Sequence, residues 1–592
     1  MFAGEIGIGV ILCPIAGAIL APLTYAIRRK AVAWFAVFFA LITCMLSLLL
    51  LTNIQSGVLL TYNWIPSIGF SIALNLDALG VYVAVVAGSI GFLVMLYSVR
   101  YMEHAEIEGY SLLRYYGLTL LFVGSMIGLV LSDSIILVYI FWELVGFCSY
   151  ALISYYYKDP KALRAGTKAF VVTRIGDVGL FIAVVALWGG THSTSLAAIV
   201  NLAPRDNLLL TIAGFGVLLA AIGKSAQFPL HVWLPDAMEA PTTISALIHA
   251  ATMVNAGVYL VARTYPIFSV VPSWSMAVVI IGTFTALFAA TMALAEPDLK
   301  RVLALSTISQ LGIMLSAAGA GAILAFEFHL VSHAIFKGLL FLCAGVVIRS
   351  VHTRNMYEMG GLANHMKITN VTFIIGTLAL VGIPIFNGFW SKELVLDSIN
   401  GAGYVGATGV LIITSFLTAV YSWRMYYLVF LGKKRTPLEA RDPPYEMRTP
   451  LIILSIATLV SWIFISQFSS GLAYSLPSSY GVELLTVREM IEKILLSPAV
   501  VVSIVSLCII AWLAFVFKDR MIQFLKEDRG LAKALKHGYW FDDLYRVASR
   551  GIFFVGREVS YTQTGDVNYN LAGIVVGGIV ILLILILGNM GW

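Results

Sequence analysis

Apolar residues in this chain neither alternate nor keep to one helical stripe. They run on for about twenty positions at a time, the length that crosses the hydrocarbon of a bilayer as a helix. Sixteen such spans are predicted, over residues 5–27, 32–52, 76–98, 112–131, 134–157, 167–189, 208–230, 242–263, 273–294, 300–318, 322–348, 369–395, 405–431, 450–470, 498–517 and 571–590. An outer-membrane barrel would show short alternating segments instead. The expected fold class is therefore an all-α polytopic membrane protein. One stretch breaks the pattern. Between Gly538 and Thr562, Phe541, Leu544, Ala548, Ile552, Val555 and Val559 face one way, with Asp543, Arg546, Arg550 and Arg557 opposite. That is an amphipathic helix lying along the membrane surface, about 36 Å long at 1.5 Å per residue.

Composition agrees: 60% of the 592 residues are hydrophobic and 11% charged, against about 25% charged in soluble domains. Of the 37 Lys and Arg, 28 fall in one set of loops and four in the other. Basic loops stay cytoplasmic, which puts both termini on the non-cytoplasmic side of a cell (inner, cytoplasmic) membrane. The asymmetry accounts for the net charge of +6 without a nucleic-acid partner. Residues Met1–Val10 carry no basic leader, so the first helix is expected to be retained. Cys13, Cys44, Cys148, Cys343 and Cys508 stand singly in apolar runs and read as small buried hydrophobes. There is no metal-ligand spacing, P-loop or dinucleotide fingerprint in the sequence.

Seven ionisable residues lie deep within five of the spans: Glu143, Lys224, His249, His329, His333, Lys337 and Lys392. A charge at the bilayer centre costs at least roughly 2.5–3.5 kcal/mol on insertion scales and commonly marks an ion or proton path. His329, His333 and Lys337 recur every fourth residue, one helix face over about 12 Å of axis. Histidine titrates nearest neutral pH, which suits a proton relay; the alternative is histidines satisfied by neighbouring carbonyls. Lys224 and Lys392 each sit beside a Gly/Pro interruption (Gly223 to Pro229, Gly382 to Pro384). Broken helices at midplane are tolerated where they line a polar cavity, although Lys392 could instead reach the interface from a helix end. Glu143, set among aromatic residues, needs a cation to hold its charge, and Lys224 is the expected partner. Approach of Glu143 would favour the ammonium, and its withdrawal would release the proton. Arg174 and Asp177, three apart, are expected to pair locally, and Glu393 adjoins Lys392.

Residues 114–430 resemble the antiporter-like subunits of respiratory complex I, the distal members (chain L of NADH–quinone oxidoreductase, mitochondrial subunit five) above all, and their Mrp and hydrogenase relatives. The resemblance rests on Phe141-Trp142-Glu143-Leu144-Val145-Gly146, Arg174-Ile175-Gly176-Asp177, the run from Lys224 to Met238, Ser245 to Val254, Lys300 to Gly312, and the His329–Lys337 stripe. It implies two inverted five-helix repeats, with boundaries 1–110 for the N-terminal helices, 111–265 and 266–432 for the repeats, 433–517 for further helices, 518–570 for the lateral segment and 571–592 for a final anchor. It also implies roles. Glu143 and Lys224 would form the first channel, His249 the link inward, His329, His333 and Lys337 the central relay, and Lys392 the exit. Iron–sulfur clusters, flavin and quinone would belong to partner subunits, with none on this chain. The partners would be other antiporter-like and membrane subunits, and the ion protons, with sodium as the alternative.

Three positions depart from the family pattern: Thr243 where proline is expected, Asn387 where a small residue is usual, and Glu393 where aspartate is common. The lateral segment is short for a complex I, which points to a smaller assembly. The rival readings are an Mrp-type cation/proton antiporter, the membrane module of a hydrogenase or inorganic-carbon uptake complex, and a structural scaffold.

Overall fold

A computed structural model of the chain describes residues 2–54, 58–65, 70–202, 208–433, 435, 440–498 and 530–560, with scattered positions between 500 and 579. It divides into two units, Met1–Ala532 and Lys533–Trp592. In the first, the described helices are α1 (Phe2–Ile27), α2 (Ala31–Leu50), α3 (Ala78–Tyr101), α4 (Leu112–Leu131), α5 (Ile135–Ile153), α6 (Pro160–Thr191) and α7 (Leu208–Lys224). They continue as α8 (Thr242–Ala250), α9 (Met253–Phe268), α10 (Pro272–Ala295), α11 (Leu299–Gly319), α12 (Ile323–Val351), α13 (Lys367–Val381), α14 (Asn387–Gly401), α15 (Val405–Phe430), α16 (Tyr445–Val460), α17 (Ile465–Ser475) and α18 (Val487–Leu496), with a few shorter turns between. In the second unit, α19 (Phe541–Ser560) is the expected amphipathic helix. Among the described residues, twelve segments are long and apolar enough to cross a membrane. The expected spans 498–517 and 571–590 lie largely outside the described residues.

Polar side chains start the helices where the sequence leaves the bilayer. Asp77 accepts from the Gly80 amide (3.0 Å) to begin α3, and Asp298 accepts from Lys300 and Arg301 to begin α11. Each satisfies amide donors that a first turn leaves unpaired. The helix pair α8–α9 and the helix α11 are buried along nearly their whole length and α12 along most of it, whereas α1 and α2 keep one face exposed. The centre is thus built from the helices that carry the histidines, Lys337 and their partners.

Two local features differ from the expected pattern, and a third, the end of the 208–230 span at Lys224, falls at the expected Gly/Pro interruption. An antiparallel hairpin, β1 (Val58–Ile65) with β2 (Phe70–Asn75), joins α2 to α3. The predicted span 208–230 stops at Lys224, because Ala226 takes a left-handed φ of 50° and Pro229 follows. The predicted span 242–263 is broken at Ala251–Thr252. Side chains bond carbonyls at the break: Asn255 Nδ2 donates to Ala250 O (2.7 Å), and Thr252 Oγ1 donates to Leu247 O (2.9 Å), which also accepts from the Ala251 amide (3.1 Å). This break carries neither Gly nor Pro.

A buried ion pair ties α9 to the start of α3. The Arg263 guanidinium grips both Asp77 carboxylate oxygens and bonds the Tyr259 hydroxyl, while Tyr480 donates to Arg263 O (2.7 Å). Removing one partner of such a pair strands the other charge, at about 3–5 kcal/mol. Asp77→Asn is expected to lower the thermal unfolding midpoint in detergent well beyond a surface control such as Glu492→Gln. Equal midpoints would show that the pair adds nothing.

Candidate functional site

Four charges of alternating sign meet where α5, α6 and α7 pack. Arg174 on α6 bonds the Glu143 carboxylate on α5, and lies 3.8 Å from Asp177, one turn along its own helix. Asp177 accepts the Trp142 indole N–H at 2.6 Å and faces the Lys224 ammonium at 3.3 Å. Lys224 is wholly buried and stands 5.5 Å over the Trp142 ring. The order is Glu143, Arg174, Asp177, Lys224. The expected direct pair of Glu143 with Lys224 is therefore corrected: Asp177 is the lysine's partner, and Arg174 is the glutamate's.

Glycines explain why. A Cβ on Gly176 would lie 3.1 Å from the Gly223 Cα, so α6 and α7 touch backbone to backbone and bring Asp177 against Lys224. A Cβ on Gly146 would lie 2.6 Å from Lys224 Nζ. The ammonium thus sits over Gly146, nearly one turn beyond Glu143, whose side chain keeps 23% exposure towards the outer face of α5. As the last residue of α7, Lys224 also stands at the negative end of a helix dipole.

His249 lies one residue before the end of α8, against the break, its ring stacked on Phe341 at 4.6 Å between centroids. Phe341 is one turn beyond Lys337 on α12. Lys337 donates to the Ser306 hydroxyl and to Leu303 O (3.3 Å), both on α11. His333 follows one turn back, with no hydrogen-bond partner on either ring nitrogen, and its ring is 6.4 Å from that of His329. His329 is held on both sides, by Ser391 on α14 and Gln310 on α11, each at 3.0 Å. Lys392, next to Ser391, donates to Val381 O (2.6 Å) at the last turn of α13. Gly382 takes φ 91° there, in space where a Cβ would meet the ammonium. Glu393 is buried beside it. Thr243, which replaces the expected proline, accepts a 2.7 Å hydrogen bond from Tyr115, whose hydroxyl also meets Ser98.

One end of the stripe thus meets Ser391, the sequence neighbour of Lys392, and the other lies one turn from Phe341, on which His249 stacks. Sequence reasoning missed Ser306, Gln310 and Ser391 as partners. It also missed the buried Glu327, which no periodicity singled out.

Two family models match the chain. One, described as "NADH:quinone oxidoreductase/Mrp antiporter, TM", covers residues 132–419, and the other, "NADH-Ubiquinone oxidoreductase (complex I), chain 5 N-terminus", covers 64–112. Together they span more than half the sequence. The chain belongs to the NADH:quinone oxidoreductase/Mrp antiporter transmembrane family. Every residue from Glu143 to Glu393 lies inside the first match.

Within that family, the chain is 41% identical over 452 residues to F(420)H(2) dehydrogenase subunit L of Methanosarcina mazei, covering 69% of this chain and 66% of the relative. It is 46% identical over 388 residues to NAD(P)H-quinone oxidoreductase chain 5 of Synechocystis, covering 62% and 56%. The matched stretch thus spans between about half and two thirds of these relatives' own lengths. Among solved structures, the Mrp complex from Dietzia superposes at a TM-score of 0.78 with 26% identity, covering 98% of this chain and 62% of that one. The archaeal membrane-bound sulfane sulfur reductase, at 0.71 and 24% identity over 83% of this chain, shares the fold.

Proposed function

We propose that this chain is a proton-translocating membrane subunit of a redox-driven, quinone-linked oxidoreductase of the complex I type. One observation carries the reading: from the half-buried Glu143–Arg174 pair a succession of ionisable groups, buried from Asp177 and Lys224 onward, runs through His249 and the His329–His333–Lys337 stripe to Lys392, beside helices broken at 225–241, 251–252 and 382–386. Such groups are costly inside a membrane and commonly mark an ion or proton path. The two relatives named for quinone or F(420)H(2) chemistry supply the class of reaction.

In this reading Lys224 holds a proton while Asp177 faces it. Weakening of that contact, through Arg174 and Glu143 in turn, drives the proton toward His249. The relay then carries it along α12 to Lys392. Iron–sulfur clusters, flavin and quinone reside in partner subunits, so this chain is part of an enzyme without holding the electrons. The short lateral helix fits a smaller assembly, with both termini on the non-cytoplasmic side. An Mrp-type cation/proton antiporter is the second reading, favoured by the superposition over nearly the whole chain.

Purification of the native assembly through this chain, followed by reconstitution in vesicles with a quinone, tests the two. Proton movement that requires electron donor and quinone, with iron–sulfur subunits in the preparation, is the expected outcome. Sodium-for-proton exchange without any donor would overturn the redox reading in favour of the antiporter.

A further inference from the structure

The basic loop between α1 and α2 borders a cavity of about 670 Å³ that the proton path does not touch. Arg28, Lys30 and Trp34 line it from that loop and the start of α2. Arg100 lines it from the end of α3, Glu103 and Glu106 from the short helix Glu103–Ile107, and Tyr116 from α4. These residues stand where α1 and α3 end and α2 and α4 begin, on the side of the basic loops. The cavity therefore lies at the level of lipid headgroups.

Its charges do not cancel. Arg100 is committed to Glu103, one guanidinium nitrogen donating to both carboxylate oxygens at 2.6 and 2.8 Å. Arg28 and Lys30 are exposed and, among the described residues, have no carboxylate within ion-pair distance. Arg29 between them is turned to the Tyr25 ring, 5.9 Å from its centroid. Glu106 is the one lining acid left, so three cations and two carboxylates leave a single positive charge at the cavity. Tyr116 is only 1% exposed, and its hydroxyl has no hydrogen-bond partner among the described residues. A buried phenol normally has one. An anion that accepts hydrogen bonds would satisfy the phenol and the two free cations together.

A second observation identifies what carries that anion. Trp34, Phe38 and Met45 are 55%, 56% and 60% exposed and, at spacings of four and seven, share one face of α2. From Trp34 at the cavity, this strip runs about 16 Å along the helix, close to half of the roughly 30 Å hydrocarbon thickness. A cavity with surplus positive charge thus continues into an apolar strip one leaflet long. Trp34, at their junction, is the residue type that favours the membrane–water interface. A free phosphate would use the cavity and leave the strip without a purpose.

We propose that this cavity is a binding site for an anionic phospholipid. Arg28, Lys30 and the Tyr116 hydroxyl hold its phosphodiester, and one acyl chain lies along Trp34, Phe38 and Met45. One phosphodiester balances the one surplus charge, whereas a zwitterionic lipid brings its own cation and leaves the surplus in place. Basic pockets between spans on the side of the basic loops are suited to such headgroups. The inference needs only that the chain spans a membrane, so it stands or falls apart from the proton-translocating reading.

The test uses the native assembly in phosphatidylcholine vesicles carrying a trace of photoactivatable phosphatidylglycerol or, separately, photoactivatable phosphatidylcholine. The diazirine is on the acyl chain in both, and labelled peptides are located by mass spectrometry. Phosphatidylglycerol is expected to label α2 between Trp34 and Met45 well above phosphatidylcholine. Arg28→Gln combined with Lys30→Gln should cut that labelling roughly thirtyfold, about fivefold for each charge removed. Tyr116→Phe, which removes only the hydroxyl, should cut it severalfold. Arg488→Gln, on a surface helix elsewhere and 87% exposed, should leave it unchanged. Equal labelling by the two lipids, parent-level labelling in the double variant, or an equal drop in Arg488→Gln overturns the proposal. A complete lack of label on α2, as when a partner subunit covers the cavity, overturns it too.

Discussion

Lys224→Ala is expected to reduce coupled proton translocation by about 100-fold or more, the scale on which a positioned proton carrier contributes, while the assembly still forms. The four-charge cluster is neutral as it stands. Deleting the ammonium leaves Glu143 and Asp177 opposed by Arg174 alone, 3.8 Å from Asp177. Asp177 can restore balance by taking up a proton, and Trp142 still donates to it. The fold therefore has a way to absorb the loss, but no ammonium able to hand on a proton remains at the head of the path, since Arg174 does not give up its proton. The geometry also ranks the neighbours. Asp177→Asn removes the carboxylate 3.3 Å from Lys224, so its ammonium loses direct support and translocation should fall nearly as far. Glu143→Gln acts on the lysine only through Arg174 and Asp177, and a smaller loss is expected. Rates of donor-driven vesicle acidification, normalised to assembled complex on native gels, would give the order. A harmless Asp177→Asn beside a crippling Glu143→Gln would mean that Glu143 meets the lysine directly during turnover.

What was legible in the sequence follows from what each signal depends on. The α12 stripe was readable because helical period alone places His329, His333 and Lys337 on one face. The break before Lys392 was readable because Gly382 and Pro384 announce it. Asp177 was assigned to its neighbour Arg174 because three-residue spacing is a local signal. Its contact with Lys224 depends on how closely α6 and α7 approach at Gly176 and Gly223, which is set by packing between residues 47 apart in the sequence. The break at 251–252 has no Gly or Pro, and is maintained by Thr252 and Asn255 side chains that look unremarkable in a helix-length apolar run. Glu327 escaped because it sits beside a histidine of the stripe yet belongs to the opposite face. Ser306, Gln310 and Ser391 are small polar residues of ordinary transmembrane helices, and only the fold shows them facing Lys337 and His329.

Lys337 should prove more sensitive than His333, and in an informative way. Lys337→Ala removes the amine that stands between His333 and the Phe341–His249 stack, while the Ser306 hydroxyl that receives its hydrogen bond keeps its own bond to Leu303 O (2.8 Å). A loss of about 100-fold or more is expected. His333 has no hydrogen-bond partner of its own, so His333→Ala orphans nothing and opens an imidazole-sized space between His329 and Lys337. Water there can bridge polar groups nearly as well as a side chain, which limits the expected loss to a few-fold. Equal losses in the two variants would argue against a water-linked line. Lys337→Arg separates carrying a proton from supplying a charge. Guanidinium keeps the charge and a donor to Ser306 but does not give up its proton in proteins. If Lys337 hands protons on, Lys337→Arg must fail almost as completely as Lys337→Ala, although its charge is intact. If the residue is only a fixed positive centre that sets the local field, Lys337→Arg should pump close to the parent rate. Measured in the same vesicles, that single comparison decides whether protons pass through Lys337 or merely past it.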